Sequence, residues 1–252
     1  MWYNYFVDFY CSERIFALKN QFLRGASHGI PIMLGYLSVS FGFGILAVKS
    51  GLSIFSAAAV SASNLTSAGQ AAGVAIIADG GTLLEMILSQ LVINIRYALM
   101  AISLSQKLDS SFSLPKRLLA AFGITDEIFA VASSQLEKVT ASYMFGLISV
   151  SFIGWTTGTV LGASAGKLLP DSVSNAMGIV LYGMFLAIII PPARKEKSVL
   201  IVVSAAATVS VLFYYVFTAV SGGFAVIISA VAAATLGAVL FPVKDEEVEA
   251  AP

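Results

Sequence analysis

Arg96 lies inside a long apolar run, within Ser89-Gln90-Leu91-Val92-Ile93-Asn94-Ile95-Arg96-Tyr97. Its planar fork of N–H donors suits a carboxylate. At membrane depth such a charge costs about 2.5–3.5 kcal/mol on insertion scales, so it needs a protein interior and a partner. The best partners follow one segment later, in Ile124-Thr125-Asp126-Glu127-Ile128. A carboxylate there can pair with the guanidinium, hold an ammonium or carry a proton. Upstream, Ser61-Ala62-Ser63-Asn64-Leu65-Thr66-Ser67-Ala68-Gly69-Gln70 is rich in small and polar residues. A broken helix there would expose backbone amides to a ligand; an unbroken one would use the small residues for packing. The candidate set for binding or coupling is Asn64, Gly69, Gln70, Asn94, Arg96, Tyr97, Asp126 and Glu127. On a 3.6-residue period Glu85, Ser89, Val92 and Arg96 share one side of a helix, and Gln90, Asn94 and Tyr97 a neighbouring one. Glu85 is close enough to the helix end to reach water. A plainer explanation stands beside the functional one: Arg96 and Asp126 form a buried pair that fixes helix register.

The elements holding these residues belong to a membrane protein. Of 252 residues, 58% are hydrophobic and 11% charged, and mean hydropathy is +0.90. A soluble domain has about 45–50% and about 25%. Apolar stretches of about 20 residues, enough to span a bilayer, recur from 29 to 241, without strand alternation. The expected fold is all-α, a polytopic helical bundle of about six to eight membrane segments, some broken or re-entrant. Residues 1–28 read as a cytoplasmic interfacial segment, 29–241 as the membrane domain and 242–252 as an acidic, disordered tail. The expected segments are 29–48, 53–78, 82–104, 118–136, 143–168, 173–190, 198–220 and 223–241. A polar loop separates 104 from 118, and Pro191-Pro192 ends the segment before the turn 194–197. Gly154, Gly158, Gly162 and Gly166 form a four-residue ladder for close helix packing.

Met33–Phe41 resembles Met144–Phe152, with Met, Gly and Ser-Val-Ser-Phe in register, which suggests an internal duplication. The positive-inside rule favours six crossings, with 53–78 and 118–136 each entering and leaving on one side. Eight crossings would put Lys107, Lys116 and Arg117 outside.

Several functions are excluded or disfavoured. Net charge is zero and no basic face forms, so nucleic acid is not an expected partner. His28 and Cys11 are the sole histidine and cysteine, which argues against a zinc centre and excludes an intrachain disulfide. No cofactor is expected. Gly42-Phe43-Gly44 sits inside an apolar run with no preceding strand, so it is not a dinucleotide site. Gly166-Lys167 lacks the rest of a phosphate loop, and neither a His-Glu-Xaa-Xaa-His pair nor a Gly-Xaa-Ser-Xaa-Gly elbow occurs. The chain is not expected to be an enzyme.

Arg24-Gly25, Gly29-Ile30-Pro31-Ile32-Met33-Leu34-Gly35-Tyr36, Ser67-Ala68-Gly69-Gln70, Asn94-Ile95-Arg96-Tyr97 and Thr125-Asp126-Glu127-Ile128-Phe129-Ala130 occur in that order. Together they resemble the landmarks of the AzlC family, from about residue 20 to 240. The chain departs from the family's usual pattern at Ala71, where phenylalanine is common, and at Tyr97, where histidine is. The resemblance implies the large subunit of a branched-chain amino-acid exporter in the bacterial cytoplasmic (inner) membrane, with a small AzlD-type membrane subunit as partner. On that footing the expected function is gradient-driven export of a small neutral amino acid, Arg96 or broken-helix amides near Gly69 taking its carboxylate and Asp126 or Glu127 its ammonium or a coupling proton. The alternatives are a passive channel for a small neutral solute or anion, and a non-transporting subunit that stabilises a partner.

Overall fold

A computed structural model describes residues 2–166, 169–170, 172, 183, 185–187 and 189–242, with side chains from Asn20 onward. Among these residues the regular elements are helices: α1 Trp2–Lys49, α2 Ile54–Ser63, α3 Ser67–Ala78, α4 Leu83–Ser105, α5 Leu114–Phe122, α6 Asp126–Ser133, α7 Ala141–Ala165, α8 Lys197–Tyr215 and α9 Gly222–Leu240. The Asn20–Lys49 part of α1, and α4, α7, α8 and α9, are long and apolar enough to cross a membrane. The bundle is the expected all-α membrane architecture.

α1 and α7 form its spine. Gly154 packs on Met33, Gly158 on Leu37, Gly162 on Phe41 and Gly166 on Ile45. The contacts advance together along both helices, so the two run parallel. A Cβ at Gly154 would lie 2.6 Å from the Met33 carbonyl oxygen, and one at Gly162 would overlap the Phe41 carbonyl. Gly166 is looser, 3.3 Å from Ile45 Cα. α1 answers with Gly25 and Gly29 against Tyr143 and Leu147. Bare backbone on both helices permits this approach. The spine runs straight through residue 28, where an interfacial segment was expected to give way to the first span. Met33–Phe41 and Met144–Phe152 therefore lie on helices that touch and point the same way.

Two broken segments enter from opposite ends of the spine. The first leaves the end of α1, descends as α2 and breaks at Asn64-Leu65-Thr66. Asn64 Oδ1 accepts from the Thr66 amide (3.0 Å) and hydroxyl (2.6 Å), an Asx turn that stops one helix and starts the next. α3 then climbs back, and Ala57 and Val74, one from each half, share a buried cluster with Phe43, Ala47 and Ala163. The second segment is α5–α6, broken at Gly123-Ile124-Thr125. Its ends are bonded together: Val139 N donates to Lys107 O (2.9 Å) and Asp109 N to Val139 O (3.0 Å). Thr125 caps α6 through Ile128 N (3.3 Å). Each excursion thus returns to the end it left, the re-entrant arrangement that the charge pattern favoured.

α4 runs between them, antiparallel to the spine, with Leu104 near Met144 at its finish. Near its start Glu85 is 4% exposed rather than in water. It accepts from Ser221 Oγ (2.6 Å) and Gly223 N (2.9 Å), satisfying free N–H groups in the first turn of α9. α9 packs along α8 with Gly237 against Val202, so that pair is antiparallel.

Two boundaries differ from expectation. α5 begins at Leu114 rather than 118, because Pro115 in its first turn loses no helical hydrogen bond, so Lys116 and Arg117 are helical. Residues 189–195 are helical through Pro191-Pro192. Proline cannot donate backwards, but Pro192 O still accepts Glu196 N (2.9 Å), so the helix runs to Arg194-Lys195 and Glu196 caps the next one. Most of the expected 173–190 segment, and the acidic tail from 243, lie outside the described residues.

Arg24, Lys107, Lys116, Arg117 and Lys138 share the end where α1 enters and α4 finishes, which the positive-inside rule assigns to the cytoplasm. In a Cys11→Ser background, Ser110→Cys should label only from the cytoplasmic face and Asp79→Cys only from the other. Labelling of both from one face would refute the topology. Gly162→Leu should drive a side chain into the α1 backbone and cost about 3 kcal/mol, read as lost folded fraction in fluorescence-detected size exclusion. Gly166→Ala should retain that fraction.

Candidate functional site

The tips of both excursions meet at mid-depth around a cavity of about 220 Å³. The first supplies Leu65, Ser67 and Ala68, the second Thr125, Asp126 and Glu127. α1 adds Tyr36, α4 adds Ile93, Arg96 and Tyr97, and α7 adds Trp155. Phe185 and Ile189 complete an apolar wall. The first turns of α3 and α6 both lie on this space, and each brings free backbone N–H groups and the positive end of a helix dipole.

Arg96 Nη1 donates to Asp126 Oδ1 at 2.8 Å, and the two side chains are 43% and 33% exposed. The contact is one N–H to one oxygen. Arg96 Nη2 donates to the Tyr97 hydroxyl (3.3 Å), and the guanidinium carbon lies 5.0 Å from the Tyr97 ring centre. Donors of the fork are left for another acceptor.

Glu127 is differently held. Tyr36 donates its hydroxyl proton to Glu127 Oε2 (2.6 Å), and Tyr36 Oη lies 2.5 Å from Thr125 Oγ1. Tyr36 and Thr125 are buried. Among the described residues Glu127 has no cationic partner.

The remaining expected residues build the frame. Gln70 is 1% exposed. Its Nε2 donates to Asn64 O (2.6 Å), while Trp155 Nε1 donates to Gln70 Oε1 (3.1 Å). Gln70 therefore ties the first break to α7. Asn94 Nδ2 donates to Gln90 Oε1 (3.0 Å), and Gln90 Nε2 to Gly69 O (2.8 Å). Asn94 is two residues from Arg96, which on a helix turns it about 200° away; that is why it misses the cavity. Gly69 lets this pair approach, because a Cβ would lie 2.7 Å from Gln90 Oε1. Thus Arg96, Tyr97, Asp126 and Glu127 line the cavity, whereas Asn64, Gly69, Gln70 and Asn94 hold the α3 side of it together.

Sequence reasoning missed Tyr36 and Trp155. Both sit on helices whose polar content is low, and their rings meet edge-on at 5.2 Å. The usable signal was that a buried tyrosine or tryptophan needs a partner for its polar tip. Among the described residues no cluster of three or more His, Cys, Asp and Glu side chains is placed to hold a metal.

Comparison with known proteins assigns the family. Residues 31–169 match the model of the AzlC protein family. An inner membrane protein YgaZ of Escherichia coli is 30% identical over 176 residues, 67% of this chain and 72% of the relative. An uncharacterized membrane protein of Archaeoglobus fulgidus is 32% identical over 172 residues, 68% of this chain and 75% of the relative. A further one from Helicobacter pylori is 26% identical over 144 residues, 56% of this chain and 62% of the relative. No solved structure matches. With more than half its length matched by the family model, and the Arg96–Asp126 landmarks falling inside that span, the chain belongs to the AzlC family of membrane proteins.

Proposed function

We propose that the chain is the transporting subunit of a secondary exporter for branched-chain or similar neutral amino acids in the bacterial cytoplasmic membrane, working with a small AzlD-like membrane subunit. The observation that carries this reading is a cavity holding one guanidinium and two carboxylates at one side and apolar side chains at the other. A zwitterion with an aliphatic side chain has the matching chemistry. Its carboxylate takes the free donors of Arg96, with the first turn of α3 adding positive potential. Its side chain lies against Leu65, Ile93, Trp155, Phe185 and Ile189. Size agrees: an apolar cavity of about 150 Å³ takes a benzene, so the 220 Å³ here suits about nine non-hydrogen atoms, the size of leucine or isoleucine. The partner subunit rests on the family resemblance alone.

Broken helices with binding at mid-depth are a transporter plan, in which opposed half-helices open the site to one face and then the other. The Arg96–Asp126 bond fits this use. Asp126 neutralises the guanidinium when the cavity is empty, and a substrate carboxylate joins it rather than displacing an apolar contact.

Arg96→Ala should abolish leucine efflux, and Asp126→Asn should reduce it at least about tenfold, the scale of one charged hydrogen bond. Each single change leaves a half-exposed charge or donor without its partner at membrane depth and should lower membrane abundance. The double change removes both charges and should restore abundance without restoring efflux. Wild-type efflux from either single variant at normal abundance would exclude that residue from the mechanism, and rescue of efflux by the double change would make the pair purely structural.

A further inference from the structure

We infer that Glu127, held by Tyr36, is the residue that requires a free α-ammonium group on the transported molecule, whereas Asp126 serves only as the counter-ion of Arg96. This rests on the export reading above and divides the labour of its two adjacent carboxylates.

The division follows from their partners. Asp126 is bonded to Arg96, so the two charges compensate each other. Glu127 lies beside them, lines the same cavity, and among the described residues accepts only the neutral Tyr36 hydroxyl. A carboxylate at membrane depth without a cation is costly, and the cavity itself is where a cation can reach it. The charged and titratable groups facing it are Tyr36 from α1, Arg96 and Tyr97 from α4, and Asp126 on its own helix; α7 contributes Trp155. Acidic residues in a first turn also suit the dipole of α6. That accounts for the residue type, but not for a side chain fastened across the cavity wall by a buried tyrosine.

An amino acid in this space completes an alternating string: Asp126 negative, Arg96 positive, substrate carboxylate negative, substrate ammonium positive, Glu127 negative. Replacing the ammonium by a hydroxyl breaks the string and sets a carboxylate and Glu127 in one small cavity with no cation between them. The site therefore rejects 2-hydroxy acids of the same shape, by repulsion as much as by a lost hydrogen bond. Tyr36 is a positioning residue: it acts through Glu127 and fixes where the carboxylate stands.

The test uses inverted membrane vesicles from cells making the full chain together with any cognate small subunit. Uptake of labelled leucine is competed with unlabelled leucine or with 2-hydroxy-4-methylpentanoate. Wild type should prefer leucine over the hydroxy acid by about tenfold or more. Glu127→Gln should bring that ratio close to one, chiefly by weakening leucine, because the amide neither attracts the ammonium nor repels the hydroxy acid. Tyr36→Phe, compared per unit of membrane-inserted protein, should shift the ratio part of the way, and it decides the matter if the glutamine variant fails to accumulate. A leucine preference that survives in both variants, or that changes equally for the two competitors, overturns the inference while leaving export standing. Wild-type vesicles that take up no leucine overturn the export reading and this inference with it.

Discussion

Backbone that leaves helical geometry at membrane depth must find every hydrogen bond inside the protein. This constraint governs the AzlC chain described above. Two interruptions, at Asn64–Thr66 and Gly123–Thr125, release amides and carbonyls that lipid cannot satisfy. The molecule answers with side chains dedicated to each break. Asn64 turns back on the Thr66 amide, Gln70 reaches the Asn64 carbonyl, and Trp155 orients Gln70 from α7. At the other break Thr125 caps α6 and its hydroxyl meets Tyr36. The cavity exists because these repairs are made from the walls rather than from its centre, so the charged groups beside it stay available.

The parallel spine is the second condition. α1 and α7 approach backbone to backbone through glycines on both helices, which places Tyr36 and Trp155 on one continuous wall. Each reaches a different excursion, Tyr36 the second and Trp155 the first. A line of hydrogen bonds and one edge-to-face ring contact therefore runs from Glu127 through both spine helices to the first break. The ion pair of α4 closes the opposite side.

Much of this was legible in the sequence because cost leaves a mark. An arginine and an acidic pair inside apolar runs stand out against their surroundings, and so does a ladder of glycines every fourth residue. The re-entrant course of α5–α6 could be inferred from where Lys107, Lys116 and Arg117 fall. What stayed hidden was the division of labour. Asn64, Gly69, Gln70 and Asn94 read as ligand-facing polar residues, since no one-dimensional pattern separates a side chain that repairs backbone from one that faces a cavity. Tyr36 and Trp155 were hidden because aromatic residues are unremarked in an apolar helix. Glu85 looked like a residue near water because its acceptor role depends on α9, far away in the chain.

The joined ends of the α5–α6 excursion bear on how the protein could work. Lys107, Asp109 and Val139 close a ring of chain whose base is stitched to itself, and Lys107 Nζ adds a strap to the Ser133 carbonyl. A ring with a stitched base cannot lengthen, so the depth of the acidic pair at its apex is set by the closure at the rim. Arg96 rides on a separate helix, α4, outside that ring. The gap between guanidinium and carboxylates is therefore a distance between two independently anchored elements, one fixed by the ring's closure and the other by the course of α4.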